Sequence, residues 1–93
     1  MNTARQPRHE LLLFSEVPSF SGTWSILYSA DAKRTICVYQ HIQLMVEVET
    51  GDAFHQYLLL SEITDWIREY PESMTAQLLL ELCGGDANQA RQK

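Results

Sequence analysis

The chain has no apolar run long enough to cross a membrane. Its longest, Leu11-Leu12-Leu13-Phe14 and Leu58-Leu59-Leu60, are three or four residues, against the ~18–20 that a spanning helix needs. The stretch after Arg5 and Arg8 is likewise too short for a signal-peptide core, and no small-residue cleavage site follows it. Cysteine is scarce, with only Cys37 and Cys83, far apart in sequence. A secreted domain this small usually carries more, so unbridged thiols and a cytoplasmic location are expected. Basic residues are few: seven Lys and Arg stand against twelve Asp and Glu, a formal charge of −5. Phosphate binding without sequence preference needs several cations on one face, and no aromatic-plus-basic RNA-recognition motif is present. No direct nucleic-acid binding is expected.

Catalytic and metal motifs are missing too. The four glycines form no phosphate-cradling loop, and there is no G-x-S-x-G. The histidines and cysteines lack C-x₂-C, H-x₃-H and H-E-x-x-H spacing. No metal, cofactor or catalytic residue is expected. Cys37, between Ile36 and Val38, should be buried and inert, and Cys83 ends a helix, where the dipole disfavours a thiolate. Glu47 and Glu49 share a strand face at ~7 Å, within range of glycosidase carboxylate pairs. A chain this short has little room for a sugar cleft, so two solvent-facing glutamates are the plainer reading.

What is present describes one small folded unit. The 93 residues are 45% hydrophobic and 20% charged, ordinary for a globular domain and too apolar for a disordered chain. Residues 1–8 read as a mobile N-terminal arm, 9–83 as a single domain and 84–93 as a flexible polar tail. Residues 9–17 are ambiguous. Pro7 and Glu10 suit a helix start, and a short helix ended by Val17-Pro18 is expected.

Thr23 to Ala30 alternates as a strand. Thr35 to Thr50 keeps Ile36, Val38, Ile42, Leu44, Val46 and Val48 on one parity, without Gly or Pro. As one strand it would span ~50 Å, so a bend near Gln40-His41 is expected. Gly51-Asp52 fits a two-residue hairpin loop, which sets Val48 opposite His55, Val46 opposite Tyr57 and Leu44 opposite Leu59. Ser61 then caps a helix, whose stripe is Ile63, Trp66, Ile67 and Tyr70, stopped by Pro71. Ser73 caps a second helix to Cys83, with Gly84-Gly85 as its left-handed end. The expected fold is α+β: a three-stranded antiparallel meander followed by two helices packed on one face.

The last helix is apolar over more of its circumference than one contact face requires. It is either central in the core, or part of it, Met74, Leu78 and Leu80, forms a homodimer interface. Charge is uneven. Residues 1–34 hold four basic and three acidic side chains, whereas residues 35–83 hold eight acidic ones against Arg68 alone. Such a field draws a basic partner and repels nucleic acid.

The leading reading is a small acidic, non-catalytic interaction protein of the inhibitor or adaptor type. It would occupy a basic surface on a larger protein through Glu47, Glu49, Glu62, Asp65, Glu69 and Glu72, with Tyr57 or Trp66 as anchors. A solubilising acidic face is the plainer explanation of the same residues. One alternative is a dimeric accessory or chaperone-like module that binds a client through the apolar helix. The other is a small-ligand domain or enzyme subunit using Cys37, Tyr39, Gln40 and His41 around the bend.

Overall fold

A computed structural model describes residues 10–19, 22–83 and 88–89. Four antiparallel strands run in chain order, β1 (Leu11–Ser19), β2 (Gly22–Ser29), β3 (Thr35–Gln40) and β4 (Gln43–Glu49). Two helices follow, α1 (Ala53–Glu69) and α2 (Ala76–Leu82), and the two-residue β5 (Asn88–Gln89) pairs with β4 at the far edge. The class is α+β, as expected, with a meander of four strands where three were expected. The expected arm, residues 1–8, lies outside the described residues. Of the expected tail, 84–93, only Asn88–Gln89 are described.

Residues 11–19 form an edge strand, not a helix. Leu13 pairs with Leu27 but Ser15 pairs with Ile26, so Phe14 is an extra, bulged residue. That insertion breaks the two-residue alternation and hides the strand in the run Leu11 to Phe14. Pro18 does not end the element, because an edge strand leaves one row of N–H groups unused. The Ser19 Oγ donates to the Gly22 carbonyl at 2.8 Å across the connection to β2.

The expected bend at Gln40-His41 is a full reversal. His41 turns the chain at φ +63°, a left-handed conformation in which histidine is enriched among non-glycine residues, and β4 returns beside β3. A two-residue turn alone would set Val38 opposite Met45. A bulge at Met45 instead pairs Tyr39 with Leu44 and Val38 with Val46. Turn and bulge together restore the parity, so Ile36, Val38, Val46 and Val48 all face the core and imitate one long strand.

The second expected hairpin does not exist. Ala53 to Leu60 is the first half of the 17-residue α1, so the pairs Val48–His55, Val46–Tyr57 and Leu44–Leu59 are not made. Asp52, not Ser61, is the N-cap: its Oδ2 accepts the His55 N–H at 3.2 Å, satisfying an otherwise orphaned donor. Gly51, at φ +72°, bends the chain out of β4 and donates its N–H to the Lys33 carbonyl at 2.8 Å. The helix ends before Pro71 as expected, with Tyr70 as C-cap. The cap of α2 is Thr75 rather than Ser73; its Oγ1 accepts the Leu78 N–H at 3.1 Å. The expected Gly84-Gly85 end lies outside the described residues.

Both helices cover one face of the sheet. The core joins Val17, Trp24, Ile26, Ile36, Val38, Val46 and Val48 from the sheet to Leu60, Ile63 and Ile67 of α1, with Met74 and Leu79. Full burial of each such aliphatic side chain contributes about 1.5–3 kcal/mol. The buried positions of α1 are Gln56, Leu60, Ile63, Thr64 and Ile67, a stripe at helical spacing. One polar side chain is built into that stripe. Gln56 Nε2 donates to the Ser29 carbonyl at 2.7 Å and to the Thr35 carbonyl at 3.3 Å, fixing the start of α1 against the closed end of the β2–β3 hairpin.

Candidate functional site

The capping and core contacts of α1 decide what it shows to solvent. With Gln56, Leu60, Ile63 and Ile67 turned inward, Phe54, Leu58, Glu62, Asp65 and Glu69 fall on the outward arc at helical spacing, and Tyr57 lies on its flank, in line with Arg68. All six are exposed. Phe54 is 70% exposed, Tyr57 60% and Leu58 48%, so the first two turns present an apolar patch whose continuation is acidic. Among the described residues no ion pair involves Glu62, Asp65 or Glu69. Arg68, the one cation of the helix, lines a depression against β1 with Phe14, Ser15, Ser61, Thr64 and Asp65.

A groove of about 410 Å³ runs beside this arc. Among the described residues it is lined by His55, Leu58, Leu59, Ser61, Glu62 and Asp65. Leu58 and Leu59 supply apolar surface, and the two carboxylates follow along the same helix.

The six acidic residues expected to act together are divided between two surfaces. Glu47 and Glu49 project from the sheet face away from the helices: Glu47 is opposite Cys37 and Glu49 opposite Thr35. Glu47 is half-buried and engaged in an interaction of its own. Glu49 lies 3.8 Å from Lys33 Nζ, an exposed pair worth little in stability. Glu62, Asp65 and Glu69 belong to α1, and exposed Glu72 lies just beyond its end. Of the two anchors considered, Tyr57 is exposed, whereas Trp66 is half-buried and packs against the core.

The three residues considered for a dimer interface are engaged inside the protomer. Met74 is 5% exposed and part of the core, while half-buried Leu78 and Leu80 pack against it. The apolar excess of α2 is therefore largely accounted for by intramolecular packing.

The four residues around the β3–β4 turn are divided between the two faces of the sheet. Cys37 and Tyr39 face the side without helices. Gln40 is opposite Trp24 on the core side, and the His41 ring lies against Gly22. Burial, with the Glu47 carboxylate adding to it, pushes the Cys37 thiol up to about 11. Burial, then Glu62, does the same for Cys83. Thiols so raised are poor nucleophiles at neutral pH. Among the described residues no group of three or more His, Cys, Asp and Glu could hold a metal ion. No helix among them is long and apolar enough to cross a membrane.

Comparison with family models, with curated proteins and with solved structures finds no match for the chain. The outward face of α1 is thus read from its chemistry alone. Phe54 and Leu58 went unnoticed in the sequence because that stretch reads as a strand. The signal that could have found them is the Asp52 cap, which starts the helix nine residues before Ser61.

Proposed function

We propose that the protein acts by contact and not by catalysis, binding a basic surface of a larger protein through the outward face of α1. One observation carries this reading: Phe54 and Leu58 are exposed on the same helical arc as Glu62, Asp65 and Glu69, with exposed Tyr57 on its flank. Buried aromatic anchors supply most of the energy in protein interfaces. Acidic side chains beside them select a positively charged partner and speed the encounter. Glu72 extends the acidic end. Glu47 and Glu49, on the far side of the sheet, add to the overall field without joining the contact. The unpaired state of Cys37 and Cys83 suits a reducing compartment, in keeping with a cytoplasmic role as inhibitor or adaptor.

The test is affinity capture from the source lysate, at about 50 and 500 mM salt, conditions that differ strongly in charge screening. Three variants accompany the wild type: Phe54→Ser with Tyr57→Ser, Glu62→Lys with Asp65→Lys and Glu69→Lys, and a far-side control, Glu16→Lys with Glu49→Lys. A partner kept by wild type and control, and lost by both α1 variants and at high salt, supports the reading. A partner indifferent to both α1 variants overturns it.

A further inference from the structure

We propose that the groove beside α1 is a socket for one arginine side chain presented by the partner. This rests on the partner-binding reading above and specifies the chemistry of that same site. The groove combines two surfaces that an arginine needs together. Leu58 and Leu59 line it with apolar surface, against which the methylene stem of a long cationic side chain lies while its head stays with polar groups. Glu62 and Asp65, also in the lining, are three positions apart on the helix and therefore neighbours, with Cβ atoms ~5–6 Å apart.

Neither carboxylate has an ion-pair partner among the described residues. Glu62 lines the groove alone, while Asp65 stands between the groove and the adjoining depression that Arg68 also lines. A guanidinium has five N–H donors in one plane and can serve two carboxylates at once. It is also less strongly hydrated than an ammonium, so it parts with water more readily on entering an apolar groove. Lysine offers a compact, well-hydrated charge and matches only the acidic half of the site. Phe54 and Tyr57 stand beside the groove and not in its lining, which assigns them to apolar residues flanking the arginine in the partner.

The experiment is a titration of the full, ¹⁵N-labelled chain with N-acetyl-arginine amide, followed by NMR at constant ionic strength. Parallel titrations use the capped forms of lysine and of citrulline, the uncharged isostere of arginine. The expected result is saturable shifts confined to residues 55–65, at least about threefold tighter for arginine than for lysine and absent for citrulline. Glu62→Gln with Asp65→Asn should abolish them. Phe54→Ser with Tyr57→Ser should leave them intact.

No saturable shift up to about 50 mM ligand overturns the socket. So do equal shifts from citrulline, equal affinity for lysine, or matching shifts around Glu16, Glu49 and Glu72, the mark of diffuse attraction. The two proposals fail separately. Lysate capture that still depends on Phe54 and Tyr57 without arginine binding leaves the interface standing and removes the socket. Arginine binding in a protein whose captured partners ignore both α1 variants does the reverse.

Discussion

Gln56 and Ser29, 27 positions apart, are joined by a buried hydrogen bond from the glutamine Nε2 to the serine carbonyl at 2.7 Å. The same nitrogen reaches Thr35 at 3.3 Å, so one amide holds the first turn of α1 to both strands of a hairpin. Removing it strips two buried carbonyls of a donor. Gln56→Leu should lower stability by about 1–3 kcal/mol in urea unfolding. Gln56→Glu sets a carboxylate, which only accepts, against two carbonyl oxygens. Its loss relative to wild type should exceed that of Gln56→Leu at pH 7 and shrink as acid protonates the new carboxyl. A Gln56→Leu protein as stable as wild type would show that the clamp is idle.

Gly22 adopts φ +114°, and a Cβ added there would lie 2.8 Å from the His41 Cδ2. Gly22→Ala should therefore cost about 1–3 kcal/mol, from backbone strain and from displacing the imidazole. In a His41→Ala background the steric part disappears and the backbone part remains. A double-mutant cycle reads the difference, and equal costs in both backgrounds would assign the whole effect to the backbone.

Asp52→Ala should destabilise the protein by about 1 kcal/mol through loss of the α1 cap. Ser61→Ala, in the interior of the helix, should change stability by less than about 0.5 kcal/mol. The reverse ranking, measured by thermal melts followed in the far ultraviolet, would place the helix start where the sequence first suggested it.

The thiols make stability depend on alkaline pH. Folding raises Cys37 and Cys83 to about 11, above the ~8.5–9 of an unfolded cysteine. Between those values the unfolded chain has lost a proton that the folded chain retains, so stability falls as pH rises. Their contribution is fully present below about pH 8.5 and lost on approaching pH 11, with a slope of at most about 1.4 kcal/mol per pH unit for Cys37. The half-buried Cys83 should contribute less. Cys37→Ala should flatten the profile from pH 9 to 11, and an unchanged slope would refute the assignment.

The fold class was legible because hydrophobic parity and helical stripes survive local irregularities. The stop at Pro71, the alternation of β2 and the inward side of Ile63 and Ile67 all followed from spacing. The errors share one cause, residues that satisfy two periods or interrupt one. Phe14 is an inserted bulge and erased the alternation of β1. Met45 is a bulge that cancelled the parity change of the His41-Ile42 turn, joining two strands into one. The stretch from Phe54 to Leu60 carries alternation and a helical stripe together, and the local signal for the helix is the Asp52 cap. The acidic residues were legible in number, but their division between two surfaces depends on whether residues 53–60 form a strand or a helix.

The interruptions in β1 also govern what the sheet does in company. An open edge with exposed Leu12 and Leu13 is the kind of surface on which strands from other molecules add and fibres begin. The Phe14 bulge follows those two leucines directly, and Pro18 removes a backbone donor four residues later. The regular ladder on β1 is split into Leu11–Leu13 and Ser15–Ser19, and the longer run contains Pro18. A second edge meets either the bulge or the missing proline donor along this strand, so the irregularity that obscured the strand in the sequence also works against polymerising through it.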